Sequence, residues 1–358
     1  MMMGVMNERR DPRLHLWFGG LLALFVCIHT DAQTATQITV ERILVDARVT
    51  TDSGDPILGL QPADFRVRID GKPASVESVE WIPETSAGRD LASIDTAPAE
   101  TNTTLDQPAP RGRLLIYLFQ TDFARNSARV AGQQHIIVSS EQWTEWLEED
   151  DRVAVFSYDS HLKFRLDFTS DRNHIHDAME RALFTDEPPA PRTVPMPSLA
   201  RRLDAKEMRD ASSPEAALII VANALRSIPG PKSLILFGWG LGRLTSGGVV
   251  MDRKYASARR ALESARVSVF SIDFTEADSH SLEVGLGKVS ADTGGFYAKS
   301  FRFPRIAIER LQRTLTGHYE LEVRRPDGLA RGVHLIETDV LKRRANVMAR
   351  TSYVDARE

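Results

Sequence analysis

Cysteine is nearly absent from this 358-residue chain, and Cys27 is the only one. It sits inside the apolar run Leu16 to Ile28, with Arg9, Arg10 and Arg13 before it and Thr30-Asp31-Ala32 after it. That order is expected of a secretory signal segment over 1–32, cleaved after Ala32. Val26 stands where a bacterial lipoprotein signal wants Gly or Ala, which argues against lipidation of Cys27. Removal of 1–32 would leave no thiol, excluding disulfides and Cys-based zinc sites. Long apolar segments are lacking as well. The run ending at Ile28 falls short of the roughly 20 residues that a transmembrane helix needs. The expected product is therefore exported, periplasmic or secreted, with no stable membrane span after cleavage. Charge of one sign is missing too: the formal net charge is -4 and no basic stripe is interleaved with aromatics, which argues against nucleic acid as a partner.

What is present is a large apolar fraction, 42%, enough for one domain of about 200 residues and a smaller one. Residues 36–82 read as an amino-terminal β unit. Val45 to Val49 alternates, Asp52-Ser53-Gly54-Asp55-Pro56 turns, and Asp70-Gly71 between Phe65–Ile69 and Ala74–Trp81 predicts a hairpin, because that turn needs positive φ at both central residues. Residues 83–110 are rich in Thr, Ala, Asp, Glu and Pro with few large apolar side chains, and read as a flexible linker. Residues 111–317 alternate strand and helix. Leu114–Phe119, Arg152–Tyr158, Ser233–Phe237 and Val267–Phe274 are strand-like, while Val130–Leu147 and Tyr255–Ala265 have helical spacing. Such alternation predicts a doubly wound, mostly parallel sheet covered on both faces. Ser213-Pro214-Glu215 signals a helix start and Gly294-Gly295 a helix stop. A Pro-rich, then charged stretch, 185–212, reads as a surface insertion.

The last segment, 318–354, returns to strands. Tyr319–Arg325 and Val333–Val340 flank Pro326-Asp327-Gly328 as a hairpin would, and Ala345–Val354 offers a third strand. A lone hairpin is marginal in water. Both chain ends are therefore expected to pack together as one accessory β-sandwich-like domain carrying the α/β domain between them.

Several motifs together carry a resemblance. Leu114–Phe119, Glu149-Asp150-Asp151-Arg152-Val153-Ala154-Val155-Phe156, Asp167-Phe168-Thr169-Ser170-Asp171-Arg172 and Ala291-Asp292-Thr293-Gly294-Gly295 lie in the middle of the chain. Thr51-Asp52-Ser53-Gly54, Gly59-Leu60, Asp64-Phe65, Gly317-His318-Tyr319-Glu320-Leu321 and Ala349-Arg350-Thr351-Ser352-Tyr353 lie towards the ends. In this order they resemble the VWFA-related domain proteins of Acidobacteria. The resemblance implies a von Willebrand factor type A fold, Rossmann-like, with a metal-ion-dependent adhesion site at the carboxyl rim of its sheet. The family's D-x-S-x-S motif, a threonine from a later loop and an aspartate after the fourth strand would there hold Mg²⁺ through oxygen ligands. Gln120-Thr121-Asp122-Phe123-Ala124 departs from that motif, and Phe237-Gly238-Trp239-Gly240 replaces the aspartate loop. Thr193 lies only in the general region of the threonine. The expectation is a degenerate site with no metal and no other cofactor.

Other constellations read as structure rather than chemistry. Gly238-Trp239-Gly240-Leu241-Gly242 lacks dinucleotide-loop spacing and places a large side chain between its glycines, while Gly285-Leu286-Gly287-Lys288 lacks the first glycine of a P-loop. His174 and His176, two apart on a helix, face different ways. Asp150-Asp151 reads as a turn, Trp143 and Trp146 as a buried stripe, and Lys342-Arg343-Arg344 as a solvated turn. No G-x-S-x-G elbow is present.

The sequence thus points to an exported, non-enzymatic protein-binding or scaffold protein whose partner is a protein. A Mg²⁺-dependent adhesion module rebuilt around Asp122 and Thr121 is one alternative, and an uncharacterised hydrolase is another. The crevice beyond the strand ends is expected to gather Asp122, Phe123, Trp239 and Arg243 as a partner-binding rim. Trp239 could equally fill the space that an ion and its waters would take.

Overall fold

The computed structural model describes residues 41–95, 112–121, 127–184, 197–275, 281–301 and 303–355. The expected signal segment 1–32, and Asp122, Phe123, Ala124 and Thr193, lie outside the described residues.

The chain begins with β1 (Arg42–Thr50), a single 3-10 turn at Pro62–Asp64, β2 (Phe65–Ile69), β3 (Lys72–Ala74) and β4 (Val76–Pro83). Asp70 and Gly71 both have positive φ, 49° and 76°, and join β2 to β3 as an antiparallel pair. The second strand expected of that hairpin is divided at Ser75, so that β4 leaves for another sheet. The expected linker 83–110 opens instead with a helix, α1 (Ser86–Asp95). Its first turn is held from a distance, since Ser86 N and Oγ each donate to the Glu148 carboxylate at 2.8 Å and Gly88 N donates to Thr85 Oγ1 at 3.0 Å. Local composition supplies Thr85 but not Glu148.

The middle of the chain runs through β5 (Leu114–Gln120), α2 (Ser127–Val138), α3 (Gln142–Glu145), β6 (Arg152–Tyr158), β7 (Leu162–Thr169), α4 (Arg172–Phe184), α5 (Ala205–Arg209) and α6 (Pro214–Leu225). It continues through β8 (Lys232–Gly238), β9 (Arg243–Thr245), β10 (Gly248–Val250), α7 (Tyr255–Ser264), β11 (Val267–Asp273), α8 (Glu283–Asp292), β12 (Tyr297–Lys299) and α9 (Pro304–Thr314). The last strands are β13 (Gly317–Arg324), β14 (Val333–Val340), β15 (Asn346–Ala349) and β16 (Ser352–Val354).

A six-stranded mixed sheet in the order β12-β11-β8-β5-β6-β7 forms the centre. Only β7 runs antiparallel to its neighbour. Period-two alternation divides β5 between two cores. Leu114, Ile116 and Leu118 meet Leu218, Leu225, Leu262 and Leu286 on one face, while Leu115, Tyr117 and Phe119 meet Ile136, Trp143, Ile175 and Leu311 on the other. A strand buried on both faces reads as a continuous apolar run, which is why these strands were legible. Ser213 caps α6, its side chain accepting from Ala216 N at 3.2 Å with Pro214 at the first position.

Two segments of this region differ from expectation. The helix expected over Val130–Leu147 is broken into α2 and α3, where Ser139 Oγ turns back onto His135 O and Ile136 O at 2.7 and 3.2 Å. Such back-bonding offers the backbone an alternative to continuing the helix. The expected surface insertion 185–212 includes a fully buried Leu199 and the helix α5. The Asp167 carboxylate pins it, accepting from Ser198 Oγ, Leu199 N and Ala200 N at 2.6, 2.8 and 3.1 Å.

The chain ends form two antiparallel sheets, ordered β15-β1-β13-β4 and β16-β14-β2-β3. Val45, Val49, Val67, Ile69, Tyr319, Leu321 and Ile336 share one core. The hairpin expected between Tyr319–Arg325 and Val333–Val340 is absent, because β13 pairs with β1 and β4 whereas β14 pairs with β2 and β16. A Pro-Asp-Gly turn reverses the chain but does not choose the sheet it enters. The third strand expected over Ala345–Val354 is likewise divided at Arg350-Thr351. There Thr351 N donates to Asp292 O at 3.0 Å and Arg350 bridges to Thr293, drawing the chain to the end of α8.

Candidate functional site

The carboxyl rim of the central sheet is built where β5 and β8 end side by side. Phe119 is paired with Phe237, so Gln120 and Gly238 emerge together. The Phe119 and Phe237 rings stack at 4.5 Å, and Trp143 meets Phe237 edge-on at 4.7 Å. That packing fixes the point from which both loops leave.

Gln120, 3% exposed, closes the loop after β8. Its Oε1 accepts from Trp239 N at 3.1 Å and Gly240 N at 3.4 Å, and its Nε2 donates to Gly240 O at 3.0 Å. The amide offers donor and acceptor in one planar group, whereas an ionised carboxylate could satisfy the two N–H groups but would turn an oxygen towards the Gly240 carbonyl. The glycines of this loop serve close approach. A Cβ on Gly238 would lie 2.9 Å from Gln120 Oε1, and one on Gly240 would lie 2.5 Å from the Leu282 Cβ just ahead of α8. The Gly-Trp-Gly-Leu-Gly run is thus a packed junction, and Gly285 to Lys288 lie within α8 itself.

Thr121 is spent on the neighbouring strand, its N and Oγ1 donating to Tyr158 O at 2.7 and 3.3 Å. Trp239 is half-buried and packs against the core that contains Phe119 and Phe237. Arg243 stands exposed at the start of β9. Trp239 and Arg243 therefore diverge, one inward and one outward. Asp122 and Phe123 are outside the described residues, so the gathering of all four is not seen.

Sequence reasoning passed over two features of the rim. Gln120 was read only as a lost ligand, not as a clamp. Asp273, fully buried at the end of β11, was not singled out. Its Oδ1 accepts from Thr275 N and Oγ1 at 2.9 and 2.8 Å, and its Oδ2 from Tyr297 OH at 2.7 Å. Burial and then Asp273 push the Tyr297 hydroxyl up from its usual range, keeping it a donor. An aspartate closing a strand two residues before a threonine was the available signal.

Among the described residues the rim shows no set of ligands for a divalent cation. Gln120 Oε1 is taken by two N–H groups, and no cluster of three or more His, Cys, Asp or Glu able to hold a metal occurs among the described residues. Asp151 of the acidic pair is a junction anchor: its carboxylate accepts from Arg113 N, Nε and Nη2 and from Glu148 N. His174 and His176 lie against Asp171 and Glu180 on the surface of α4.

Further perturbed ionisable groups lie at the opposite, amino end of the sheet. A cavity of about 550 Å³ opens there beside Glu84, Arg89, Ser233 and His318. Burial would raise the Glu84 carboxyl, but Arg48 at 2.8 Å and His318 at 2.7 Å outweigh it and hold the group at about 2. Burial lowers Lys232 to about 8, with its ammonium donating to Ala265 O at 2.8 Å.

No protein-family model matches the sequence, and none of the curated proteins is similar to it. Solved structures show a distant likeness. A human COPII-coat protein aligns at 13% identity with a TM-score of 0.39, covering 69% of this chain and 43% of that one. A von Willebrand factor type A protein from Catenulispora acidiphila aligns at 8% identity with a TM-score of 0.41, covering 89% of this chain and 76% of that one. Proximal thread matrix protein 1 from the mussel byssus, with a zinc-occupied MIDAS motif, aligns at 12% identity with a TM-score of 0.39, covering 60% and 48%. The chain thus spans less than half the length of the COPII-coat and byssus proteins. At these scores no residue correspondence follows.

Proposed function

We propose that this chain is an exported, non-enzymatic protein-interaction module of von Willebrand factor A type, in which a side-chain clamp has taken the place of a metal ion. The observation that carries the reading is the triple hydrogen bond of Gln120 to the loop after β8. In a metal-dependent rim the strand end and that loop are joined through the ion's oxygen ligands. Here they are joined directly and without charge. The sheets made by the chain ends act, in this reading, as one β-sandwich-like carrier that presents the rim. Export rests on the arginines and the apolar run before Ala32. The partner surface is the rim with its loops, because a doubly wound sheet offers its concave, loop-rich face beyond the strand ends. Fold analogy supplies only the class of function.

Thermal unfolding with added Mg²⁺ or Mn²⁺ at millimolar levels tests the loss of the metal. A ligand of the native state must raise its stability, and no shift is expected. A saturable rise in Tm that vanishes in Asp122→Ala would restore the metal-dependent adhesion module.

A further inference from the structure

We infer that the ribbon β9–β10, with the exposed Val284 of α8, is a docking strip for an extended acidic segment of a partner protein, added as a strand along β9. This inference rests on the protein-interaction reading above and names the partner's chemistry.

The ribbon leaves the rim just past Gly242, whose N–H donates to the buried Glu215 carboxylate at 3.2 Å. It is a sheet of its own: β9 and β10 pair only with each other among the described residues, and β10 passes alongside α8. Thr245 closes its turn, Oγ1 donating to Gly248 O at 2.8 Å and accepting from Gly247 N at 3.3 Å. A two-stranded ribbon is marginal in water unless something covers it, and its outer backbone edge is a template for another strand.

The side chains around that edge say what would be recognised. Leu244, Val250 and Val284 are 62%, 46% and 60% exposed, although their neighbours Leu241 and Leu286 are buried. Arg243, Arg253 and Lys254 are exposed and form no ion pair among the described residues. Of the nearby acids among the described residues, Glu283 and Glu215 are engaged, and Asp252 is held by a backbone N–H. Asp252 accepts from Lys254 N at 2.8 Å, Glu283 lies 2.9 Å from Lys299, and Glu215 is buried under the ribbon. Among the described residues the strip is thus apolar and, with Arg243, Arg253 and Lys254 against Asp252, positively charged on balance. In strand addition the main chain supplies affinity and alternate side chains supply specificity. A segment alternating acidic and apolar residues would satisfy both the uncommitted cations and the exposed Leu and Val. Nucleic acid would need stacking platforms, and Trp239 of this rim packs inward.

Selection of a displayed library of short random peptides on the full chain tests the inference. Enriched peptides are expected to alternate Asp or Glu with apolar residues. Their binding should weaken at least about tenfold in Arg243→Glu and in Leu244→Asp. Both positions are exposed, so Tm should not change. Replacing the peptide acids by lysine should restore binding to Arg243→Glu. Peptides lacking acids, or acidic peptides bound equally well by both variants, would overturn the strip. If such peptides lose binding only in Trp239→Ala, the rim still binds protein and only the strip is wrong. Charge-dependent binding of phosphatidylserine vesicles or a single-stranded oligonucleotide, with no peptide enriched, would overturn the strip and the protein-interaction reading together.

Discussion

At the carboxyl end of the central sheet the first residues of the loop after β8 are held to β5 by a neutral carboxamide, whereas at the amino end the contact with β1, β4 and β13 is tied by ions. Arg48 and His318 hold Glu84 there, and Arg266 reaches Asp46 Oδ2 at 3.0 Å and Glu320 Oε2 at 2.6 Å. Arg48 also lies over the Phe270 ring at 5.7 Å. Perturbed carboxylates in a cleft usually mark chemistry. Here Glu84 and Asp46 join the central sheet to the strands of the chain ends, while the carboxyl rim has such a group as well in Asp159 after β6, where burial would raise the carboxyl but Lys163 and Ser160 hold it at about 2. The difference teaches that the strand ends of one sheet can be tied by a neutral amide at one end and by a buried ion cluster at the other.

The largest expected effect breaks the ionic end. Arg48→Ala leaves Glu84 buried with half its partners and should cost about 3–5 kcal/mol in urea unfolding. A value below about 1 kcal/mol would mean that the seam carries little. Acid attacks the same place. Glu84 is held below its unfolded value, so its contribution is complete above a pH of about 4.5 and is lost as pH falls towards about 2. That loss should be on the order of 3 kcal/mol, and Glu84→Gln should flatten it.

At the neutral end Trp239→Ala should cost about 2 kcal/mol, less than a fully buried tryptophan because the ring is half-exposed. Unchanged stability with lost partner binding would instead make Trp239 a contact residue.

The smallest expected effect comes from a second ionic clamp, within the other sheet of the chain ends. His334 Nδ1 lies 2.7 Å from Asp70 and Nε2 3.0 Å from Asp355, while its ring stacks on Tyr353. Burial lowers the imidazole, but the hydrogen bonds to the two carboxylates outweigh it and raise it above its usual value. Its stabilisation is therefore complete below a pH of about 6.5 and is lost as pH rises through the raised folded value. His334→Gln should remove that alkaline loss and also weaken the part of the acid limb that comes from Asp70, whose carboxyl is lowered chiefly by its hydrogen bond to His334.

Legibility in the sequence followed where the partners of a residue lie. The apolar runs of β5, β6, β8 and β11 carry their burial in their own composition. Ser213-Pro214 and Asp70-Gly71 carry their turns in backbone chemistry. The sheets chosen by β4, β13, β15 and β16 were not legible, because a turn signal fixes reversal and not pairing. Nor was α1, whose first turn depends on Glu148 far along the chain. At the rim the clamp was not legible: Gln120 becomes a structural residue only once Gly240 lies beside it.

Hydrogen exchange at the Trp239 and Gly240 amides tests the clamp most directly. Both N–H groups should be protected in the wild type without any added metal. In Gln120→Ala they should exchange near the open-loop rate while the amides of β5 and β8 stay protected. Fast exchange of both amides in the wild type, or protection that appears only with Mg²⁺, would contradict a rim closed by Gln120.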